Sequence, residues 1–279
     1  MIDCECTYPT LLDLGEKLLL FYRKQTNHSP ITRSYFVISS YDHGHSWTDE
    51  KVVIEATAGT WIYAMPFIMP EKKVGLFWGQ HGRQKNDVQD VFYAQSNDMG
   101  LSWQDVTGSA NLNTLSSQQE YLIHQSKDGQ SSRVWDIQTT ENGQPATLWI
   151  DYNSKDAQAY YTEYRPEKLN WVTTSLGENS QFYYPCGGAI DRKTRNIVYV
   201  ASYDSTKSNS RISVLEIAKT GEINQTGEIA QENSFFCRPM SLDKESGFDL
   251  LFTDIKYYDS FMKFDTSLLV YKRASQNAD

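Results

Sequence analysis

The 279 residues carry 26 basic against 35 acidic side chains, a net charge of −9 with no basic run, which removes nucleic acid from the expected partners. There is no stretch of 18 or more apolar residues, and the start, Met1-Ile2-Asp3-Cys4-Glu5, lacks the basic and apolar regions of a signal peptide. The expectation is therefore a soluble chain with no membrane partner, cytoplasmic as written or the trimmed form of a secreted one. An aromatic content of 13%, with 18 Tyr and 7 Trp, favours many short strands and a carbohydrate-facing surface over a helical bundle. All-β folds of this length routinely form one domain, and a single domain over 1–279 is expected.

Read in order, the chain repeats a unit of four short strands, with no helix. The first unit predicts strands over 5–12, 17–23, 33–39 and 47–55; the second over 61–68, 74–79, 90–95 and 103–106. After a polar, irregular stretch over 109–130 that reads as a long loop, the third predicts 133–139, 146–152, 159–164 and 171–175. A fourth begins at Tyr183-Tyr184-Pro185 and continues over 196–203, 211–217 and 227–231. A fifth opens with Phe235-Phe236-Cys237-Arg238-Pro239, continues over 249–254 and ends over 267–273, one strand short. The segment before Thr7 is the spare piece expected to pair beside that last strand and hide its edge.

Two octapeptides punctuate the first two units. Ser40-Tyr41-Asp42-His43-Gly44-His45-Ser46-Trp47 and Ser96-Asn97-Asp98-Met99-Gly100-Leu101-Ser102-Trp103 both read Ser-x-Asp-x-Gly-x-Ser-Trp. Each follows a strand, so each is placed as a hairpin turn. The Asp accepts bonds from its own turn, the Gly allows positive φ, and the Trp covers the turn with apolar surface. Trp171 occupies the same slot in the third unit, where the rest of the pattern has decayed. The pattern resembles the Asp box, or BNR repeat, of sialidase-type β-propellers. That resemblance implies an all-β propeller, here of five four-stranded blades closed by pairing of the chain ends, with the boxes on the outer rim away from the chemistry.

The four cysteines, Cys4, Cys6, Cys186 and Cys237, show no CxxC and no zinc-finger spacing and read as buried free thiols, with disulfide or metal roles left open. No cofactor or metal is expected. In a propeller the first strand of each unit lines the channel, which points to Tyr8, Tyr63, Trp135, Tyr184 and Arg238. Arg23, His81, Arg83 and Tyr257 lie on second strands or the loops after them. Rings pack on sugar C–H faces and Arg pairs with a carboxylate through two parallel bonds, so the set suits an acidic sugar. The same aromatics also serve as packing between blades, and His81 also reads as a plain loop histidine. Arg23 is harder to dismiss, because a charge at the end of the apolar run 18–22 needs a partner or an open mouth. His28, His43, His45 and His124 read as solvated turn or loop residues.

A second resemblance is carried by Thr7-Tyr8-Pro9-Thr10-Leu11-Leu12, by Leu18-Leu19-Leu20-Phe21-Tyr22-Arg23, by the turn Gly79-Gln80-His81-Gly82-Arg83 with Asn86 beyond, by Gly187-Gly188-Ala189-Ile190-Asp191 and by Arg238-Pro239. These look like the propeller polysaccharide lyases, ulvan lyases among them. The resemblance implies a lyase cleaving an acidic, uronate-containing polysaccharide by β-elimination, with Tyr8 acting on the proton beside the carboxylate and Arg23 neutralising that carboxylate; Tyr63, Arg83, Trp135, Tyr184, Arg238 and Tyr257, from their places around the channel, are expected to bind substrate. A phenol of pKa about 10 works as a base near neutrality only if a cation favours its phenolate. The resembling enzymes carry blades and a catalytic His ahead of this segment, so the expectation is that His81 takes that part or Tyr8 works alone. A sialidase-like hydrolase, with Arg23, Arg83 and Arg238 on the carboxylate, is the rival enzyme, although no Phe-Arg-Ile-Pro motif is present. A glycan-binding propeller without catalysis is the third reading, and the oligomeric state stays open.

Overall fold

The computed structural model describes residues 6–82, 90–109, 111–116, 119–127, 130–153, 157–179, 187–204, 209–231, 234–260 and 263–273. Among them are nineteen strands and no α-helix, the helical content being four three-residue 3-10 turns. The chain divides into two compact units, one of residues 1–134 and 164–171, the other of 135–163 and 172–279.

In the first unit β1 (Cys6–Asp13), β2 (Leu18–His28), β3 (Ile31–Ser40) and β4 (Lys51–Ile54) form the first blade, each pairing antiparallel with the next. β5 (Thr60–Ile68), β6 (Val74–Gly82), β7 (Val91–Ser96) and β8 (Leu122–His124) form the second. A single parallel contact, Arg33 with Trp61, joins the two sheets, and the Arg33 guanidinium stands 4.6 Å from the Trp61 ring. The period-2 pattern explains the core: Leu19 and Phe21 of β2, Tyr35 and Val37 of β3, and Val74, Leu76 and Trp78 of β6 share one buried cluster. Gly75 is required by that packing, since a Cβ there would lie 2.3 Å from Phe67 Cε1.

The second blade departs from expectation at its outer edge. The strand predicted over 103–106 reduces to single bridges, Gln104 with Gln95 and Trp103 with Leu112, and β8 takes the outer place beside β7. The reason lies in 109–130, which is no plain loop. Its scattered apolar residues Leu115 and Tyr121 are buried in the core with Trp103, and Leu115 also pairs in parallel with Ile54 at the edge of β4. His124 is accordingly a half-buried strand residue, not a solvated one. Gln80 to Gly82, expected as a turn, continue β6. The slot of Trp171 is reached through a 3-10 turn, Pro166–Lys168, with Leu169 at φ +49°. Trp171 itself packs edge-on to Tyr93, Tyr164 and Phe77.

β9 (Ser131–Thr139), β10 (Pro145–Tyr152), β11 (Ala157–Arg165) and β12 (Asn170–Asn179) make the third blade sheet. The second unit continues with β13 (Gly187–Ile190), β14 (Ile197–Asp204), β15 (Asn209–Ile217) and β16 (Ile223–Ala230), then the three-stranded sheet β17 (Phe236–Ser241), β18 (Leu250–Ser260) and β19 (Lys263–Tyr271). The five-blade division predicted from the repeat is the one seen. Of the N-terminal segment expected to pair beside the last strand, residues 1–5 lie outside the described residues, and Cys6 pairs instead with Lys24 of β2. Gly187 and Gly188 permit close approach: a Cβ on Gly188 would meet Leu148 Cδ2 at 2.3 Å and the Tyr199 carbonyl at 2.9 Å. Asp191 follows them, fully buried, and accepts bonds from the Tyr199 hydroxyl (2.8 Å), the backbone N–H groups of Lys193 (2.8 Å) and Thr194 (2.9 Å), and Arg273 Nη2 (3.1 Å).

The free-thiol reading fails at Cys6, which is disulfide-bonded with a partner outside the described residues; spacing in the sequence does not reveal which cysteines the fold brings together. Cys237 is a buried thiol. Among the described residues no helix is long and apolar enough to cross a membrane, and no cluster of three His, Cys, Asp or Glu is arranged to hold a metal.

Candidate functional site

The two box carboxylates are consumed by their own turns. Asp42 accepts from Ser46 N (2.8 Å), Ser46 Oγ (2.6 Å) and Ser40 Oγ (2.8 Å), and Ser40 Oγ in turn accepts from Gly44 N at 2.8 Å. Asp98 accepts from Ser102 N (2.9 Å), Ser102 Oγ (2.5 Å), Ser96 Oγ (2.7 Å) and Leu101 N (3.0 Å). The Ser46 hydroxyl and then its N–H hold the Asp42 carboxyl down to about 2. Burial pushes Asp98 upward, but the bonds from Ser102, Ser96 and Leu101 together keep it below its ordinary value. His43 and Met99 share the left-handed turn conformation, with φ +58° and +56° ahead of Gly44 and Gly100. Lys17, 2% exposed, ties the two turns together: its Nζ donates to the Met99 carbonyl at 2.9 Å and lies 5.4 Å from the Tyr41 ring.

A second group of polar side chains in the first unit is built differently. On β2, Leu19 and Phe21 enter the core and Arg23, on the same face, comes next; only 4% of Arg23 is exposed. Opposite it β1 bulges. Thr7 pairs with Arg23 and Thr10 with Phe21, so Tyr8 and Pro9 together stand against Tyr22 alone. Tyr8 takes φ +57°, a conformation that costs a bulky residue on the order of 1 to 3 kcal/mol, and the residue is 51% exposed. Arg23 Nε donates to Thr7 Oγ1 at 3.1 Å, whereas Nη1 is buried with no hydrogen-bond partner among the described residues. The guanidinium stands 4.6 Å from the Tyr8 ring centre and 4.4 Å from that of Tyr63 on β5, and the two rings meet edge to face at 5.3 Å. His81, on β6 opposite Trp61, lies with its ring 4.4 Å from Tyr63. Arg133, from β9, approaches the same Tyr63 ring at 5.7 Å.

Burial first, then the charges of Arg133 and Arg23, drive the His81 imidazole down to about 3, so it is uncharged at neutral pH. Among the described residues neither Arg23 nor Arg133 has an ion-pair partner. A buried guanidinium with an idle donor is costly unless an anion arrives to use it. The arrangement therefore can seat an acidic group beside an exposed phenol.

Tyr8, Arg23, Tyr63 and His81 are thus brought together. Trp135, in the second unit, packs on the apolar cluster that includes Leu148 and Ile190. Arg238 is exposed on β17 and repeats the device that presents Tyr8: φ +49° before a proline, with the register skipping between Cys237 and Met240. Arg83 and Tyr184 lie outside the described residues, as does the Tyr257 side chain. Sequence reasoning passed over Arg133, whose only signal was its place at the opening of a first strand.

The family model for BNR repeat-containing family members matches residues 3–179. No curated protein matches. Among solved structures, a PL25 ulvan lyase bound to -[GlcA(1-4)Rha3S]- is similar at a TM-score of 0.75 and 12% identity, over 96% of this chain and 64% of that one. The polysaccharide lyase Uly1 is similar at 0.60 and 16%, over 96% and 58%. The α-L-arabinanase of Penicillium chrysogenum, complexed with arabinobiose, follows at 0.52 and 15%, over 95% and 76%. The chain spans less than two thirds of the length of either lyase. At these identities the likeness is one of fold, a β-propeller shared with carbohydrate-processing enzymes. With more than half of its length matched by the family model and two intact boxes in place, the chain belongs to the BNR repeat-containing family.

Proposed function

We propose that the protein is a polysaccharide lyase that cleaves a uronate-containing glycan by β-elimination. The observation that carries the reading is the buried guanidinium of Arg23, with Nη1 unpartnered among the described residues, set against the rings of the exposed Tyr8 and of Tyr63. Arg23 takes the uronate carboxylate and offsets the charge that builds on it in the enolate-like transition state. Tyr8, as phenolate, removes the proton from the carbon next to the carboxylate. The electron pair of that C–H bond becomes the new carbon–carbon double bond as the bond to the glycosidic oxygen breaks, and the phenol so formed returns its proton to the departing oxygen. His81, driven down to about 3, is too weak a base to take that proton and, being uncharged at neutral pH, has none to give the departing oxygen, which leaves Tyr8 with both transfers. Tyr63 supplies a face for the sugar ring.

The test is incubation with a panel of uronate polysaccharides and sialosides, following the ultraviolet absorbance of unsaturated products against released reducing sugar. Unsaturated product that disappears in Tyr8→Phe supports the lyase. Reducing sugar without unsaturation points to a hydrolase, and binding with neither product to a glycan-binding propeller.

A further inference from the structure

Two guanidiniums, not one, address Tyr63. Arg23 stands 4.4 Å and Arg133 5.7 Å from its ring centre, and His81 touches the same ring at 4.4 Å. A cation on a tyrosine face is often only a staple, worth little when exposed and more when desolvated. Here the staple reading leaves too much unexplained. Three groups able to carry positive charge crowd one phenol ring, in a protein with 35 carboxylates, yet among the described residues none of those carboxylates pairs with either arginine. Like charges held together without a counter-ion raise the free energy of the fold, and an arriving anion removes that cost.

We propose that Arg133 is a second anion contact of this site: Arg23 and Arg133, both drawn to the Tyr63 ring, together take one acidic group of the glycan, and His81 on the same ring senses its arrival. This rests on the reading of the Tyr8 end of the unit as a glycan site. Among the described residues, the charged or titratable groups that face His81 are Tyr63 from β5, Arg23 from β2 and Arg133 from β9. In the empty site both guanidiniums repel a proton on the imidazole. A carboxylate held by these guanidiniums offsets that repulsion and leaves burial as the main force against protonation. Arg133 is thus a substrate-binding residue, while His81 senses whether the seat is filled.

The probe is sodium glucuronate, with glucose as the uncharged control, in titrations followed by the histidine ring proton resonances and with His81 assigned by its loss in His81→Gln. With the native protein, saturating glucuronate is expected to move the His81 midpoint up by about one to three pH units, and glucose not at all. Arg133→Gln is expected to raise the midpoint in the empty protein and to weaken glucuronate about ten- to hundredfold, the usual worth of a hydrogen bond to a charged group. Arg133→Lys keeps the charge and loses the planar fork, so it should weaken glucuronate while leaving the empty-site midpoint low; it also covers the case in which Arg133→Gln does not fold. Unchanged glucuronate affinity in both folded variants, or a His81 resonance indifferent to glucuronate, overturns the proposal. The two readings fail separately. Glucuronate bound through Arg133 with no unsaturated product from any polysaccharide sinks the lyase and leaves the seat, and lyase turnover indifferent to Arg133 does the reverse.

Discussion

Within one unit, charge is handled in two opposite ways. Asp98 receives four hydrogen bonds from its own turn and neighbours, and its turn carbonyl at Met99 takes the ammonium of Lys17. Arg23, more deeply buried, is left with one idle nitrogen and no counter-charge among the described residues, beside a tyrosine held at positive φ. The first arrangement is what a fold does with a charge it needs for itself, since a saturated carboxylate has nothing left to offer. On the function proposed above, the second is left for a partner that comes from outside. On that proposal, saturation, and not the mere presence of charged residues, separates the parts of this propeller that hold it together from the part that works.

The largest effect that can break this contrast is on turnover. Tyr8→Phe keeps the ring against Arg23 and Tyr63 but removes the hydroxyl to which the proposal gives both proton transfers, so turnover on the best polysaccharide should fall by a factor of about 10² to 10⁴ with little change in binding or melting temperature. Full activity in that variant would show that the unsaturated region is not the site. The converse test is Asp191→Ala in the second unit. Asp191 is fully buried and saturated, and removing it strands the Arg273 guanidinium and the Tyr199 hydroxyl. Denaturant unfolding should show a loss of about 3 to 5 kcal/mol, with glycan affinity per folded molecule unchanged. A cost below about 1 kcal/mol would mean that saturation marks no fold-bearing role there.

A smaller effect belongs to His81. Its folded value, about 3, lies below its ordinary 6.5, so between those two values the unfolded chain binds the extra proton and stability must rise with pH. The contribution is full above about pH 6.5 and is lost as pH falls toward 3, with a slope of at most about 1.4 kcal/mol per pH unit. Unfolding curves of His81→Gln should lose that part of the slope, and identical pH profiles for the two proteins would mean the imidazole is not held neutral.

How much of this was legible in the sequence depends on the range of the interaction concerned. The boxes were fully readable because their bonds run between residues two to four apart, so the pattern is the structure. Arg23 was readable because a charge directly after Leu18-Leu19-Leu20-Phe21-Tyr22 cannot enter the core unnoticed. Arg133 was not, because its meaning comes from Tyr63, seventy positions earlier, on a strand of a different blade. β8 was missed for a related reason: Leu112, Leu115 and Tyr121 are isolated in a polar stretch with no period of 2 or 3.6, and only the pocket beside Trp103 gives them a purpose. Strand ends went the same way. β2 and β18 run on to His28 and Ser260 through polar residues that alternation alone does not assign.

The finest distinction lies between the two boxes themselves, which share one pattern but not one environment. Trp47 is 38% exposed and folds back on its own turn, with Nε1 donating to the Gly44 carbonyl at 3.1 Å. Trp103 is 1% exposed and meets Phe21 edge-on at 6.4 Å, and a Cβ on Gly100 would press on Leu19 Cδ1 at 3.4 Å. Loosening the Asp98 turn therefore disturbs the core, whereas loosening the Asp42 turn disturbs mainly itself. Asp98→Asn should lower unfolding stability by about 1 kcal/mol, the order of one net hydrogen bond, and Asp42→Asn by less, with turnover intact in both. Acid sharpens the comparison. Both carboxyls sit below their ordinary value, so their stabilisation is present above the usual carboxylate range and is lost as pH falls through the folded value, about 2 for Asp42. The native protein should thus approach the stability of each Asn variant as the pH drops, and an Asp42→Asn cost equal to or larger than that of Asp98→Asn would show that local turn bonds, rather than burial of the tryptophan behind them, set the worth of a box.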